Sequence, residues 1–114
     1  MKIDEFKERV VEKTVRDEPW DTQLVWADAA TDLADLDDAG RDAAVSGVLV
    51  GLFDDGLVEY FVVTSYSPEV YERDPAPSEL LTREDLREHL ANGEQTLRLR
   101  PTEAARLRYS PGGR

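Results

Sequence analysis

The run Asp35-Leu36-Asp37-Asp38-Ala39-Gly40 sets carboxylates ahead of a glycine turn, the pattern from which a calcium loop D-x-[DN]-x-[DN]-G-x5-E is built. That loop needs an oxygen ligand at its fifth position and a bidentate glutamate at its twelfth, and the chain has Ala39 and Ser46 there. The run reads instead as an acidic helix start, with Asp37 and Asp38 facing the positive end of the helix dipole. Asp54 and Asp55 are adjacent carboxylates that could divide acid and base roles only in a cleft that splits their pKa values. Next to Gly56 they read as solvated turn residues. His89 is the only histidine and there is no cysteine, so a thiol nucleophile is absent, and a lone histidine near a helix end reads as a surface residue rather than as part of a metal site or a triad. Gly47, Gly51 and Gly56 are not followed by the G-K-[ST] of a phosphate loop. The chain is therefore expected to be non-enzymatic, with no catalytic residue, no cofactor and no metal.

Charge is distributed unevenly. Residues 17 to 55 contain eleven acidic residues against the single cation Arg41, within a chain of net charge -11. Such a surface repels phosphate, and protein–DNA affinity rests largely on Lys and Arg that neutralise phosphates. Nucleic acid is thus an unfavoured partner. The expected partner is a protein with a basic surface, held by Asp28, Asp32, Asp35 and Asp38 with aromatic contacts from Trp20, Tyr66 and Tyr71. The module would be regulatory, and an inhibitory or immunity-type protein is one concrete form. Residues 95 to 114 carry five arginines and one acid. The alternative reading is a transcriptional regulator contacting DNA through Arg98, Arg100, Arg106 and Arg108. Acidic and basic ends on one chain also permit a homodimer.

At 114 residues the chain is expected to form a single domain over 1–114 with one modest core. No stretch approaches the roughly 20 apolar residues of a spanning helix, and the amino terminus lacks the apolar segment of a signal peptide. No membrane association and a cytoplasmic location are the expectations.

The elements that must position these residues follow from periodicity. Ile3, Phe6, Val10 and Thr14 recur at helical steps, which predicts an amphipathic helix over 3–16. Pro19 and Trp20 interrupt the pattern, and Asp21 or Thr22 can cap a second helix running to Leu33 or Asp35. Its alanines, Ala27, Ala29, Ala30 and Ala34, would permit close packing. A third helix is expected from Asp37 or Asp38 to Phe53 or Asp54, with Ala44, Val45, Val48, Leu49 and Leu52 inward and Gly56 as its terminator. Residues 57 to 63 read as an inner strand. A long loop with Pro68, Pro75 and Pro77 leads to a short helix opened by Thr82 and Asp85. Thr96, Leu97, Arg98, Leu99 and Arg100 alternate as a strand with leucines inward and arginines outward, pairing with residues 57 to 63. A last helical turn reaches Leu107 and Tyr109, and residues 110–114 form a frayed tail.

The passage from Leu49 and Leu52 through Asp54, Asp55 and Gly56 into Leu57 and Val58 resembles the helix-to-first-wing-strand junction of winged-helix domains. Leu97 to Arg100, followed by Thr102, Glu103, Ala104 and Ala105, looks like the second wing strand and its L-T-x-x-G exit, with Pro101 before the threonine and Ala105 at the glycine position. The resemblance spans residues 22–109 and extends to small, uncharacterised bacterial proteins. It implies an α+β, winged-helix-like fold: a helical N-terminal half, then a small antiparallel sheet with an inserted short helix. In DNA-binding members the helix matching residues 38–54 enters the major groove with basic or amide side chains. Here that helix offers only Arg41 and has no Asn, Gln or Lys.

Overall fold

The computed structural model describes residues 1–16, 20–62, 75–93 and 97–109. Helix α1 (Ile3–Arg16) buries Phe6, Val10, Val11 and Thr14 along one side. Its acidic first turn and basic last turn both complement the helix dipole. Ile3, expected in the stripe, is 46% exposed, because it opens the helix a turn before Phe6 and overhangs the packed surface. Val11 takes an inward place instead. Thr14 can be buried because its hydroxyl donates to the Val10 carbonyl at 2.8 Å.

Strand β1 (Trp20–Asp21) has two described residues, at the place where Pro19 and Trp20 interrupt the helical pattern of the sequence. It is a strand because β3 (Leu97–Pro101) lies beside it, pairing Trp20 with Leu99 and Asp21 with Arg98. Helix α2 (Thr22–Asp32) follows directly. Asp21 occupies its N-cap position without a side-chain cap bond. The Asp21 carboxylate lies 3.6 Å from Arg98 Nε, and the Thr22 hydroxyl accepts from the Leu97 amide at 3.0 Å. Both groups expected to cap the helix thus tie it to β3. Of the four alanines only Ala29 is buried, with Val25 and Leu33; Ala27, Ala30 and Ala34 face solvent.

Helix α3 (Asp38–Asp54) begins where the Asp37 carboxylate accepts from the Gly40 amide at 2.7 Å. Val45, Val48, Leu49 and Leu52 form its buried side. Its end is a Schellman motif: the Leu57 amide reaches back to the Leu52 carbonyl at 3.0 Å and the Gly56 amide to the Phe53 carbonyl at 3.0 Å. That closure requires the left-handed φ of +71° that Gly56 supplies. The chain emerges as β2 (Val58–Val62), pairing antiparallel with β3 from Val58–Pro101 to Val62–Leu97.

The described sheet has the order β1-β3-β2, so β3 is central and β2, expected to be the inner strand, is at an edge. The apolarity of β2 comes from packing on its faces. Tyr60 is fully buried and its hydroxyl donates to the Leu49 carbonyl of α3 at 2.7 Å. The outer flank of β2 receives the Leu81 amide at the Tyr60 carbonyl, 2.9 Å away. Helix α4 (Arg83–Ala91), inserted between β2 and β3, is capped by Thr82, whose side chain accepts from the Asp85 amide at 3.2 Å. Helix α5 (Glu103–Tyr109) follows β3. Thr102 begins it by accepting from the Ala105 amide and donating to the Gly56 carbonyl at 2.7 Å, which pins α5 to the α3–β2 junction.

The architecture is α+β, with a helical N-terminal half followed by a small antiparallel sheet that carries an inserted helix. One connected apolar cluster runs from Phe6 and Val10 through Val25, Leu49 and Leu52 to Tyr60, Leu97, Leu99 and Ala105. The opposite side of β3 departs from expectation. Arg98 is 3% exposed rather than solvent-facing, and Phe61, its partner across the strands, is also buried. Among the described residues no helix is long and apolar enough to cross a membrane.

Candidate functional site

The outward face of α2 carries Gln23, Leu24, Ala27, Ala30 and Thr31, continued just past the helix end by Ala34, all exposed and none of them charged. Helical spacing accounts for this: Val25, Ala29 and Leu33 point inward, so residues about 100° per step away on the far side must point out. In a chain with 34% charged residues, a whole helix face without a charge stands apart. Leu24 leaves 46% of its surface in solvent there.

The carboxylates lie around this face in two groups. Asp28 and Asp32 occupy the α2 edge that meets α1. Lys13 donates to Asp28, and Arg9 reaches both oxygens of Asp32 at 3.2 and 3.3 Å. Together with Lys7–Asp55 at 2.7 Å, these pairs bind α1 to α2 and α3. The second group, Asp35, Asp37 and Asp38, gathers at the corner between α2 and α3. Asp35 is exposed and forms no hydrogen bond or ion pair with the described residues. The Asp38 side chain is 98% exposed even though Arg41 touches it at 3.0 Å. Arg41 is mainly a corner brace, donating to the carbonyls of Leu36 at 2.9 Å and Leu33 at 3.4 Å. On the α2 edge that meets α3, Trp26 Nε1 donates to Asp42 at 3.2 Å.

Tyr66 and Tyr71 lie outside the described residues, as does the side chain of Trp20. The arginines of the C-terminal end are dispersed. Arg98 is buried within the sheet beside Asp21, Arg100 lies 3.3 Å from Glu59, and Arg106 and Arg108 are exposed on α5, where Arg108 stands over the Tyr109 ring.

Asp54 and Asp55 do not share a cleft. Arg83 grips Asp54 through two bonds of 2.8 and 3.2 Å, while Asp55 faces Lys7. The hydrogen bond from Arg83 is the main cause that holds the Asp54 carboxyl below its ordinary pKa. Burial pushes the Tyr60 phenol well above its usual value, and burial followed by the neighbouring Glu8 carboxylate raises Tyr109 to about 12. Among the described residues no group of three or more His, Asp or Glu side chains is placed to hold a metal ion. His89 is half-buried on α4.

Two features escape the sequence reading. One is the uncharged face of α2, which could have been found by asking which helical angle lacks charge rather than which is apolar. The other is a groove between α3 and α4 formed by residues far apart in the chain. Compared with protein-family models, with curated proteins and with solved structures, the chain has no match.

Proposed function

We propose that the protein is a non-enzymatic interaction module of regulatory or inhibitory kind, docking a protein partner on the outward face of α2. The observation that carries this reading is the uncharged, exposed stripe from Gln23 to Ala34 bordered by the open carboxylates of Asp35 and Asp38. Interface cores are depleted in charge and rimmed by polar groups, and this arrangement has that anatomy on a small scale. The partner is a protein with a shallow apolar centre and Lys or Arg beside it, met first by the carboxylate corner. Asp28 and Asp32 support the surface from within by fixing α2 against α1.

The succession of α3, a tight Gly56 turn, β2 and the returning antiparallel β3 supports the winged-helix-like reading of the framework. DNA contact through the arginines draws less support from it. Arg98 is buried, Arg100 is engaged by Glu59, and the exposed side of α3 offers Ala39, Ala43 and Gly47 where basic groups would be needed.

The test is capture by the tagged full chain from nuclease-treated native lysate at low and high salt. The expected result is a stoichiometric protein retained at low salt, weakened by D35K with D38K, and lost from A27R while the variant keeps its thermal midpoint. Retention of nucleic acid in place of protein, or undiminished capture by A27R, would reject the reading.

A further inference from the structure

Independently of the α2 face, a groove of about 400 Å³ runs between α3 and α4. That lies within the roughly 300–1,000 Å³ of sites that hold small molecules. Val50, Leu90 and Ala91 give it apolar walls, Ser46 and Gly47 line the α3 side, and Arg83 and Arg87 stand along α4. A Cβ placed on Gly47 would meet nothing within 4 Å, so the space above this helical turn is open. The two arginines differ in their engagement. Arg83 spends Nε and Nη2 on Asp54, which fixes the guanidinium and leaves Nη1 without a partner among the described residues. Arg87, one helical turn further on, makes no hydrogen bond or ion pair with the described residues. Asp54 feels the charge of both arginines and is held ionised by them, so its grip on Arg83 persists across the neutral range.

The geometry points to a binding site for a small monocarboxylate with an apolar body. Its carboxylate sits against Arg83 Nη1 and Arg87, and its hydrocarbon part lies along Val50, Leu90 and Ala91 above Gly47. Charge selects the class. Among the described residues that line the groove or pair with its lining, two guanidiniums less the Asp54 carboxylate leave a single positive charge, which matches a monoanion. A phosphate dianion would bring more charge than this single positive one balances, in a chain of net charge -11. Planar guanidinium donors pair well with carboxylate oxygens, and the apolar walls reward a ligand that buries hydrocarbon.

Octanoate is the probe, titrated into the ¹⁵N-labelled full chain and followed by amide chemical shifts, with octan-1-ol and inorganic phosphate as controls. Octanoate is expected to shift Ser46, Gly47, Val50 and Leu90 saturably, and each control to bind at least about tenfold more weakly. R87A should weaken octanoate by about tenfold. G47L should abolish binding by filling the groove, without lowering the thermal midpoint, since leucine favours a helix interior over glycine. The assignment is overturned if octanoate shifts no groove amide, if octan-1-ol or phosphate binds as well, or if R87A binds octanoate as tightly as the wild type.

Discussion

Tyr60 offers the most quantitative check on the packing between sheet and helices. Its ring is fully buried and its hydroxyl donates to the Leu49 carbonyl at 2.7 Å. The Y60F variant keeps the ring, deletes one hydrogen bond worth about 1 kcal/mol net, and leaves a buried carbonyl with one partner fewer, for a total cost of about 1.5 kcal/mol. An unfolding entropy of about 2.1 cal/mol/K per residue over 114 residues gives roughly 240 cal/mol/K, so the midpoint should fall by about 6 °C. Alkaline pH supplies a second readout. Burial raises the Tyr60 pKa in the folded state, so its contribution is complete below the unfolded value near 10. Above that pH the unfolded chain releases the phenolic proton while the folded chain retains it. Stability then falls by up to about 1.4 kcal/mol per pH unit from this group. Urea unfolding measured between about pH 8 and pH 11 should therefore show a steep alkaline loss in the wild type and a shallower one in Y60F. Equal midpoints for the two proteins, or identical alkaline slopes, would refute the buried hydroxyl–carbonyl contact.

Gly56 adopts a φ of +71° with open space where a Cβ would lie, so G56A should cost about 1 kcal/mol from backbone strain alone, read as a lower urea midpoint with unchanged m. D37A removes the cap on the Gly40 amide and should cost about 1 kcal/mol, whereas D35A, at a carboxylate without a partner among the described residues, should be neutral within about 0.5 kcal/mol. Carboxyl-carbon NMR should find Asp54 titrating below the ordinary aspartate range, and R83A should return it upward; a depressed folded pKa means the associated stabilisation is present above the unfolded value and lost as pH falls through the folded one.

Much of the framework was legible because local chemistry and tertiary structure agree. Asp37, Thr82 and Gly56 each punctuate a helix as their side chains or backbone freedom suggest, and Leu97 with Leu99 does face the core. The failures share one physical cause: information held by a neighbour in space. β1 is too short to show a period and exists through its pairing with β3. Alternation placed Arg98 on the face opposite the leucines, but it cannot tell whether that face is covered, and Arg98 proves buried. The same holds for the candidate surface. Asp28 and Asp32 look like members of one acidic array, yet they turn toward Lys13 and Arg9 once α1 docks. Alanine carries little weight in either an apolar or a polar pattern, so Ala27, Ala30 and Ala34 read as close-packing positions and prove exposed only when the helix is seen on the core. The Arg83–Asp54 pair, which shapes the α3–α4 groove, joins residues separated by 29 positions.

The most direct measurement of the α2 docking surface is site-specific photocrosslinking in native lysate, with a benzophenone amino acid placed at Ala27 or, as a control, at the exposed Ala104 of α5. The docking account predicts one discrete protein adduct from position 27, diminished as salt is raised, and none of that mass from position 104. Equal labelling from both positions, or a discrete adduct at 104 with none at 27, would contradict it.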